Sequence, residues 1–203
     1  GTVGKVIDGV EVKIAHDGEI LCKGPNVMMG YYKEEKMTQE VMSGDYFHTG
    51  DIGEVDDQGF LKITDRKKEM FKTSGGKYIA PQVIESQMKQ SLFIEQIMVV
   101  GAGRRMATAI IQPNTDYVKN WLNENGIECD SLSKAVQEPT LKKVIENEVE
   151  HHNQNFGSWE QVKKIELTPD EWSIDKGHLT PTMKLKRKVI AEKYNNLIDN
   201  MYQ

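Results

Sequence analysis

Cysteine is nearly absent: Cys22 and Cys129 stand far apart without the paired spacing of a zinc or redox site. Both read as buried or incidental thiols of a reducing compartment. Positive charge is not in surplus either. Lysine and arginine number 26 against 31 acidic residues, a net charge of −5 with a pI near 5.6. That balance disfavours a nucleic-acid partner, because binding a polyanion needs a positive field. No apolar run approaches the roughly 20 residues of a membrane span, and the first residues do not resemble a signal peptide. A cytoplasmic protein is expected. Loose peripheral association with a membrane stays open, since no basic amphipathic helix argues for it strongly.

Several catalytic signatures are missing as well. The glycines near Lys72 lack the Walker spacing, so this is not a phosphate-cradling P-loop. There is no Gly-x-Ser-x-Gly elbow, which disfavours a serine hydrolase. His151 and His152 are adjacent, so on a helix they point about 100° apart and cannot chelate one metal as an i, i+4 pair would. No metal ligand and no catalytic histidine is assigned, and neither an internal repeat nor a low-complexity segment is present.

What remains is ordinary globular material: 203 residues, 38% hydrophobic and 28% charged, enough for one or two modest cores. The chain opens Gly-Thr-Val-Gly in strand register and reads as a piece of something longer. Val10, Val12 and Ile14 alternate with polar residues, a turn follows at His16-Asp17-Gly18, and "GEILCKGP" continues the hairpin pattern. Further strands are expected at residues 52–55 and 60–63, on either side of the Asp56-Asp57-Gln58-Gly59 turn.

After Arg66 the period changes. "APQVIESQMKQS" places Val83 and Met88 at helical spacing, and "IEQIMVVG" and "ATAIIQP" are short apolar runs bounded by turn residues. "DYVKNWLNENG" and "PTLKKVIENEVEHHNQ" follow, the latter with Leu141, Val144, Ile145 and Val149 on one helical face. "VKKIEL" reads as a strand, and from about Lys186 a helix carries Ile190, Tyr194, Leu197, Ile198 and Met201 on one side. The fold class expected is α+β: a small β-rich unit, residues 1–64, then a mixed α+β domain, residues 65–203. The consecutive charges Asp65, Arg66, Lys67, Lys68 and Glu69 mark a solvated joint, since such a run is costly to bury.

Four places carry candidate chemistry, each with two readings. Asp51 ends "HTGD"; an ionised carboxylate offers two acceptors to the vicinal hydroxyls of a ribose, or simply forms an Asx turn or a cap. Arg66 is suited to phosphate or ribose oxygens, or to a surface ion pair. Lys72, Gly75 and Gly76 in "KTSGGKY" either line a slot for a thin substrate arm or make a hairpin turn. Lys184, with Lys186, Arg187 and Lys188 behind Pro181, either neutralises charge developing at phosphorus or begins a solvated basic helix. Trp121, Trp159, Trp172 and Phe156 are most simply core or interface anchors.

Taken in order, "GEILCKGPNVMMGYYK", "FHTGD", "GFLKITDRKKEMFKTSGGKYIAPQVIE" and "LTPTMKLKRKVI" resemble the closing part of the adenylate-forming enzymes, and of these most the long-chain fatty-acid CoA ligases. The resemblance covers essentially the whole chain. It implies an acid-thiol ligase, AMP-forming, with ATP, magnesium and CoA as cofactors and co-substrates and a fatty acid as substrate. By the same resemblance Asp51 holds the ribose, Arg66 contacts the nucleotide and Lys68 is the hinge about which a small C-terminal lid domain turns. Lys72 and Gly75-Gly76 face the site in the thioester-forming state, and Lys184 bridges carboxylate and nucleotide during adenylation. The family's Ser/Thr/Gly-rich phosphate loop, magnesium-holding glutamate and acyl pocket have no counterpart in this chain. The remainder of the large N-terminal domain is therefore an expected partner, and the fragment alone is expected to be inactive. Two other readings stand beside this one: an acyl-AMP ligase or adenylation domain feeding a carrier protein, and a non-catalytic nucleotide-binding module.

Overall fold

Turn chemistry organises the first part of the chain. The carboxylate of Asp56 accepts the N–H groups of Gln58 and Phe60 at 2.9 and 2.8 Å and so closes the turn between two long strands. The computed structural model describes residues 1–203 and divides into two units, Gly1–Met70 and Phe71–Gln203.

In the first unit the strands are β1 (Gly4–Lys5), β2 (Glu11–Ile14), β3 (Glu19–Lys23), β4 (Met42–Ser43), β5 (Tyr46–Val55) and β6 (Phe60–Arg66), with one helix, α1 (Glu35–Val41), between β3 and β4. All pairings are antiparallel, in the order β1-β6-β5-β3-β2, with β4 pairing to β5. The expected strand at 52–55 is the end of the ten-residue β5, so "HTGD" is strand rather than loop. Its apolar burial is sparse, since Ile20 is the one buried hydrophobic side chain of this unit.

β6 runs through the expected step at residues 64–65 and ends at Arg66. The charged run is not uniformly solvated, because Asp65 is 2% exposed. It is the strand's inward residue there, and its Oδ1 accepts the Arg66 N–H at 2.6 Å. A turn follows, in which the Arg66 carbonyl accepts the N–H groups of Glu69 and Met70 at 2.9 and 3.1 Å, with Lys68 exposed on it.

The second unit is α+β. Its elements are the two-stranded β7 (Phe71–Lys72) and β8 (Tyr78–Ile79), then α2 (Pro81–Met88), β9 (Ile94–Val100), β10 (Ala107–Pro113), α3 (Thr115–Glu124), α4 (Leu132–Ala135), α5 (Pro139–Asn153), β11 (Val162–Leu167), α6 (Arg187–Lys193) and α7 (Asn195–Asn200). β9 pairs antiparallel and β11 parallel to the central β10, every residue of which is buried. Alternation sends Ile97, Val99, Ala109 and Ile111 into one core, shared with Ile84 and Met88 of α2 and with Leu141, Ile145 and Val149 of α5. It sends Met98 and Ile110 to the other side, where Trp172, Ile190, Tyr194 and Met201 form a second core.

Sheet coverage on both faces explains why β9 and β10 read as continuous apolar runs instead of alternating ones. Trp121 and Phe156 pack against the first core and Trp172 belongs to the second. Trp159 departs from the anchor reading: it is 51% exposed, with the Lys77 ammonium 5.4 Å above its ring. The expected C-terminal helix is broken in two at Tyr194, whose ring is drawn into the second core and whose hydroxyl donates to Asp170 Oδ2 at 2.7 Å. The free edge of β9 is covered by side chains. Glu85 accepts the Val99 N–H at 2.7 Å, and Arg187, paired with Glu85, donates to the Val99 carbonyl at 3.4 Å.

Candidate functional site

The candidate residues fall into two groups, one in each unit, and each group is built by its own strands. In the first unit, β5 and β6 pair in a register that sets Asp51 opposite Arg66. Arg66 Nε lies 2.7 Å from Asp51 Oδ1, and the Asp51 N–H is held by Thr49 Oγ1 at 3.1 Å. The neighbouring Asp65 points inward, so the ion pair of Arg66 is cross-strand, and the Arg66 side chain stays half exposed. Before Asp51, Gly50 adopts φ +73°, a conformation that a side chain disfavours. Its N–H donates to Glu19 Oε1 at 3.0 Å, and its carbonyl accepts the Lys67 N–H at 2.8 Å.

Glu19 is the buried residue beside this kink in β5. Its Oε2 receives Lys67 Nζ at 2.8 Å and faces His48 Nδ1 at 2.8 Å, while Lys67 Nζ also meets Asp17 at 2.7 Å. Burial works to push the Glu19 carboxyl up, but His48, Lys67 and the Gly50 N–H outweigh it and hold the group below the ordinary glutamate range. The hydrogen bonds that Lys67 donates to Asp17 and Glu19 correspondingly raise Lys67, and the one it donates to Asp17 lowers Asp17.

In the second unit, Lys72 ends β7 and the next residues turn. Gly76 N–H donates to the Thr73 carbonyl at 2.9 Å, Thr73 N–H to the Lys77 carbonyl at 2.9 Å, and Gly76 has φ +79°. Gly75 and Gly76 are thus the tip of a hairpin, and both are exposed. Lys72 Nζ rests 5.3 Å from the Tyr78 ring centroid, across the same hairpin. Loop residues brace it from behind: Ser74 N–H donates to the Arg104 carbonyl and Gly103 N–H to the Lys72 carbonyl, both at 2.8 Å.

Lys184 lies on a second hairpin. Leu179 bridges Leu185, Thr180 N–H donates to the Lys184 carbonyl at 2.8 Å, and Lys184 N–H donates to Thr180 Oγ1 at 3.1 Å. Met183, at φ +61°, completes the turn. The lysine backbone is fixed at both ends while its side chain is exposed. Under the hairpin, His178 is buried and its carbonyl accepts the Lys186 N–H at 2.8 Å. Lys193 Nζ stands 3.3 Å from His178 Nε2 and 2.8 Å from Asp170 Oδ2.

Burial, seconded by the Lys193 ammonium, pushes His178 below the ordinary histidine range; Lys193 and the Tyr194 hydroxyl hold Asp170 down. The Lys184 group is therefore a hairpin resting on a polar cluster, and the basic helix begins only at Arg187.

No group of three or more His, Cys, Asp or Glu side chains is arranged to hold a metal ion. Cys22 and Cys129 are unpaired and half-buried, and no helix is long and apolar enough to cross a membrane. No role was read from the sequence for Glu19, His178 or Glu85, and Lys67 was read only as part of the charged joint. For Glu19 the one available signal was a carboxylate sitting between a glycine turn and an apolar strand.

Residues 69–203 match the family model described as AMP-binding enzyme C-terminal domain, and the chain belongs to that family. The same α+β arrangement occurs in solved adenylation enzymes. The A domain of the carboxylic acid reductase from Segniliparus rugosus, in complex with AMP and a co-purified carboxylic acid, superposes with a TM-score of 0.78 over 98% of this chain and 32% of that one, at 20% identity. O-succinylbenzoate coenzyme A synthetase from Bacillus subtilis, in complex with ATP and magnesium ion, gives 0.63 over 93% of this chain and 35% of that one, at 22% identity.

Among curated relatives, the long-chain-fatty-acid–CoA ligase FadD15 of Mycobacterium tuberculosis is 39% identical over 203 residues, all of this chain and 34% of that protein. Human long-chain-fatty-acid–CoA ligase 1 is 38% identical over 190 residues, 92% of this chain and 27% of that protein. The chain spans about a third of the length of the curated relatives it matches.

Proposed function

We propose that this chain is the carboxy-terminal part of an ATP-dependent, AMP-forming long-chain fatty acid:CoA ligase. The reading is best supported by an exposed Lys184 on a backbone-fixed hairpin, in a chain matching such a ligase over its whole length at 39% identity.

In the reaction, a fatty carboxylate oxygen attacks the α-phosphorus of ATP and the bond to pyrophosphate breaks. The CoA thiol then attacks the acyl carbon and AMP leaves. A carboxylate is a poor partner for a polyphosphate because both are anionic. A single exposed ammonium on a rigid hairpin is suited to screening that charge as the new P–O bond forms. Asp51 accepts from the ribose hydroxyls, with Arg66 beside it on the nucleotide. The Lys72 hairpin, whose tip is bare glycine backbone, admits the narrow thiol arm in the second step, and Lys68, on an exposed turn, is the pivot between the two arrangements. The pieces proposed are the last β-rich subdomain of the large domain and the whole lid domain. Magnesium would serve ATP when bound; no group of three or more His, Cys, Asp or Glu side chains of this chain is arranged to hold it.

The test is made on the full-length protein that carries this chain. Lys184→Ala should slow acyl-adenylate formation from carboxylate and ATP on the order of 100-fold, the scale of a lost charge-stabilising donor. Thioester formation from supplied acyl-adenylate should stay within about threefold. Equal loss in both half-reactions would overturn the assignment.

A further inference from the structure

One buried carboxylate joins the segment before Asp51 to the segment after Arg66. Glu19 is 3% exposed, and each of its oxygens is engaged: Oε1 by the Gly50 N–H, Oε2 by Lys67 Nζ and His48 Nδ1. Gly50 immediately precedes Asp51, and Lys67 immediately follows Arg66. A further bond closes the ring, from the Lys67 N–H to the Gly50 carbonyl at 2.8 Å. These donors come from β5 and from the turn beyond β6, so one buried carboxylate ties the two elements together beside their backbone ladder and the exposed Asp51–Arg66 and Glu54–Lys62 pairs.

We propose that Glu19 is a positioning residue of the nucleotide half-site, holding the Gly50 backbone of β5 and Lys67 in one register so that Asp51 and Arg66 are presented to the nucleotide as a pair. The inference rests on the reading of Asp51 and Arg66 as nucleotide-binding residues. Glu19 touches neither of them and no substrate; it acts through the residue before one and the residue after the other.

The chemistry fits that task better than general support of the fold does. A fully buried carboxylate is costly unless several donors meet it, and an apolar residue would fill the same space without that cost. What an apolar residue cannot do is restrain an ammonium and a glycine N–H at once. Anchoring Lys67 also confines any swivelling of the chain to the residues beyond it, beginning at Lys68. In a Glu19→Gln variant one oxygen is replaced by a donor amide, which cannot accept from both Gly50 and Lys67.

Adenylation kinetics of the full-length protein test this, with KM for ATP separated from kcat. Glu19→Gln should raise KM for ATP about tenfold while kcat stays within about threefold, and Lys67→Met should raise KM by a smaller factor. The double variant should be no worse than Glu19→Gln, because both remove one arrangement. Glu54→Gln, on the same strand pair and in an exposed ion pair with Lys62, should change neither constant. A Glu19→Gln protein with unchanged KM, or with kcat falling in step with its folded fraction, would reduce Glu19 to an ordinary structural group. Should that variant not fold, an unchanged KM in Lys67→Met alone refutes the inference. Asp51→Asn separates the two levels. If it leaves KM for ATP unaltered, the nucleotide reading itself fails; if it raises KM while Glu19→Gln does not, only the role of Glu19 fails.

Discussion

Arg66 has Asp65 as its neighbour in the chain, yet it pairs with Asp51 across the sheet, and strand register makes that choice. Successive residues of a strand point to opposite faces, so Asp65 turns inward while Arg66 turns out towards Asp51. Gly50 is the residue on which this geometry turns. At φ +73° an added Cβ meets no neighbour, so the cost of Gly50→Ala is conformational, about 1–2 kcal/mol. The variant should lower the urea midpoint of the first unit accordingly, and an unchanged midpoint would show that the strand relaxes freely there.

Asp51 and Arg66 were visible in the sequence because "HTGD" and "DRKK" stand out as short motifs. Their partnership was not, since it depends on which residues face each other across β5 and β6. The contact of Glu19 with Lys67 was hidden for the same reason: it joins residues distant in the chain, although Lys67 itself lies within "DRKK".

At the scale of elements, pattern and structure agree where an apolar stripe meets a core. Leu141, Ile145 and Val149 of α5 are buried on one side, and "VKKIEL" is β11 over its full length. α1 was not foreseen because it buries no residue, so no stripe existed to read. The split between α6 and α7 was also illegible, being decided by where the Tyr194 hydroxyl finds Asp170, Trp172 and Thr168.

The Lys184 hairpin carries a pH consequence of its support. His178 faces Lys193 from α6 and Asp170, Glu171 and Lys176 from the segment after β11, and its folded-state pKa is lowered, by burial first and Lys193 second. The unfolded chain therefore takes up a proton that the folded one refuses. Stability contributed by neutral His178 is complete above the ordinary histidine pKa of about 6.5 and is lost as pH falls towards the lowered folded value. The thermal midpoint of the chain should drop as pH falls below about 6.5. His178→Leu should flatten that part of the profile, and an identical slope in the variant would contradict the assignment.

For the molecule as a whole, the two units differ sharply in what they bury. The second holds two cores, whereas the first has Ile20 alone among its hydrophobic residues below the surface. A polypeptide of residues 71–203 should therefore unfold in one cooperative transition by calorimetry, and a broad non-cooperative melt would count against its independence. The turn that bears Lys68 closes the first unit, ahead of its last residue Met70. No backbone hydrogen bond uses the Lys68 N–H, so proline there removes no bond and acts by fixing φ and restricting Lys67. In the full-length protein, Lys68→Pro should slow thioester formation at least tenfold more than adenylation, as compared by single-turnover assays. Parallel losses would argue against a pivot at that position.

All three tryptophans, Trp121, Trp159 and Trp172, belong to the second unit, and their surroundings differ. Trp172 is sealed in a core with its indole N–H on Tyr194, while Trp159 is open to solvent beneath a lysine. Intrinsic emission is thus a private optical channel for the second unit. A soluble quencher reaches Trp159 first, and a red shift from Trp172 announces the loosening of the cluster under Lys184.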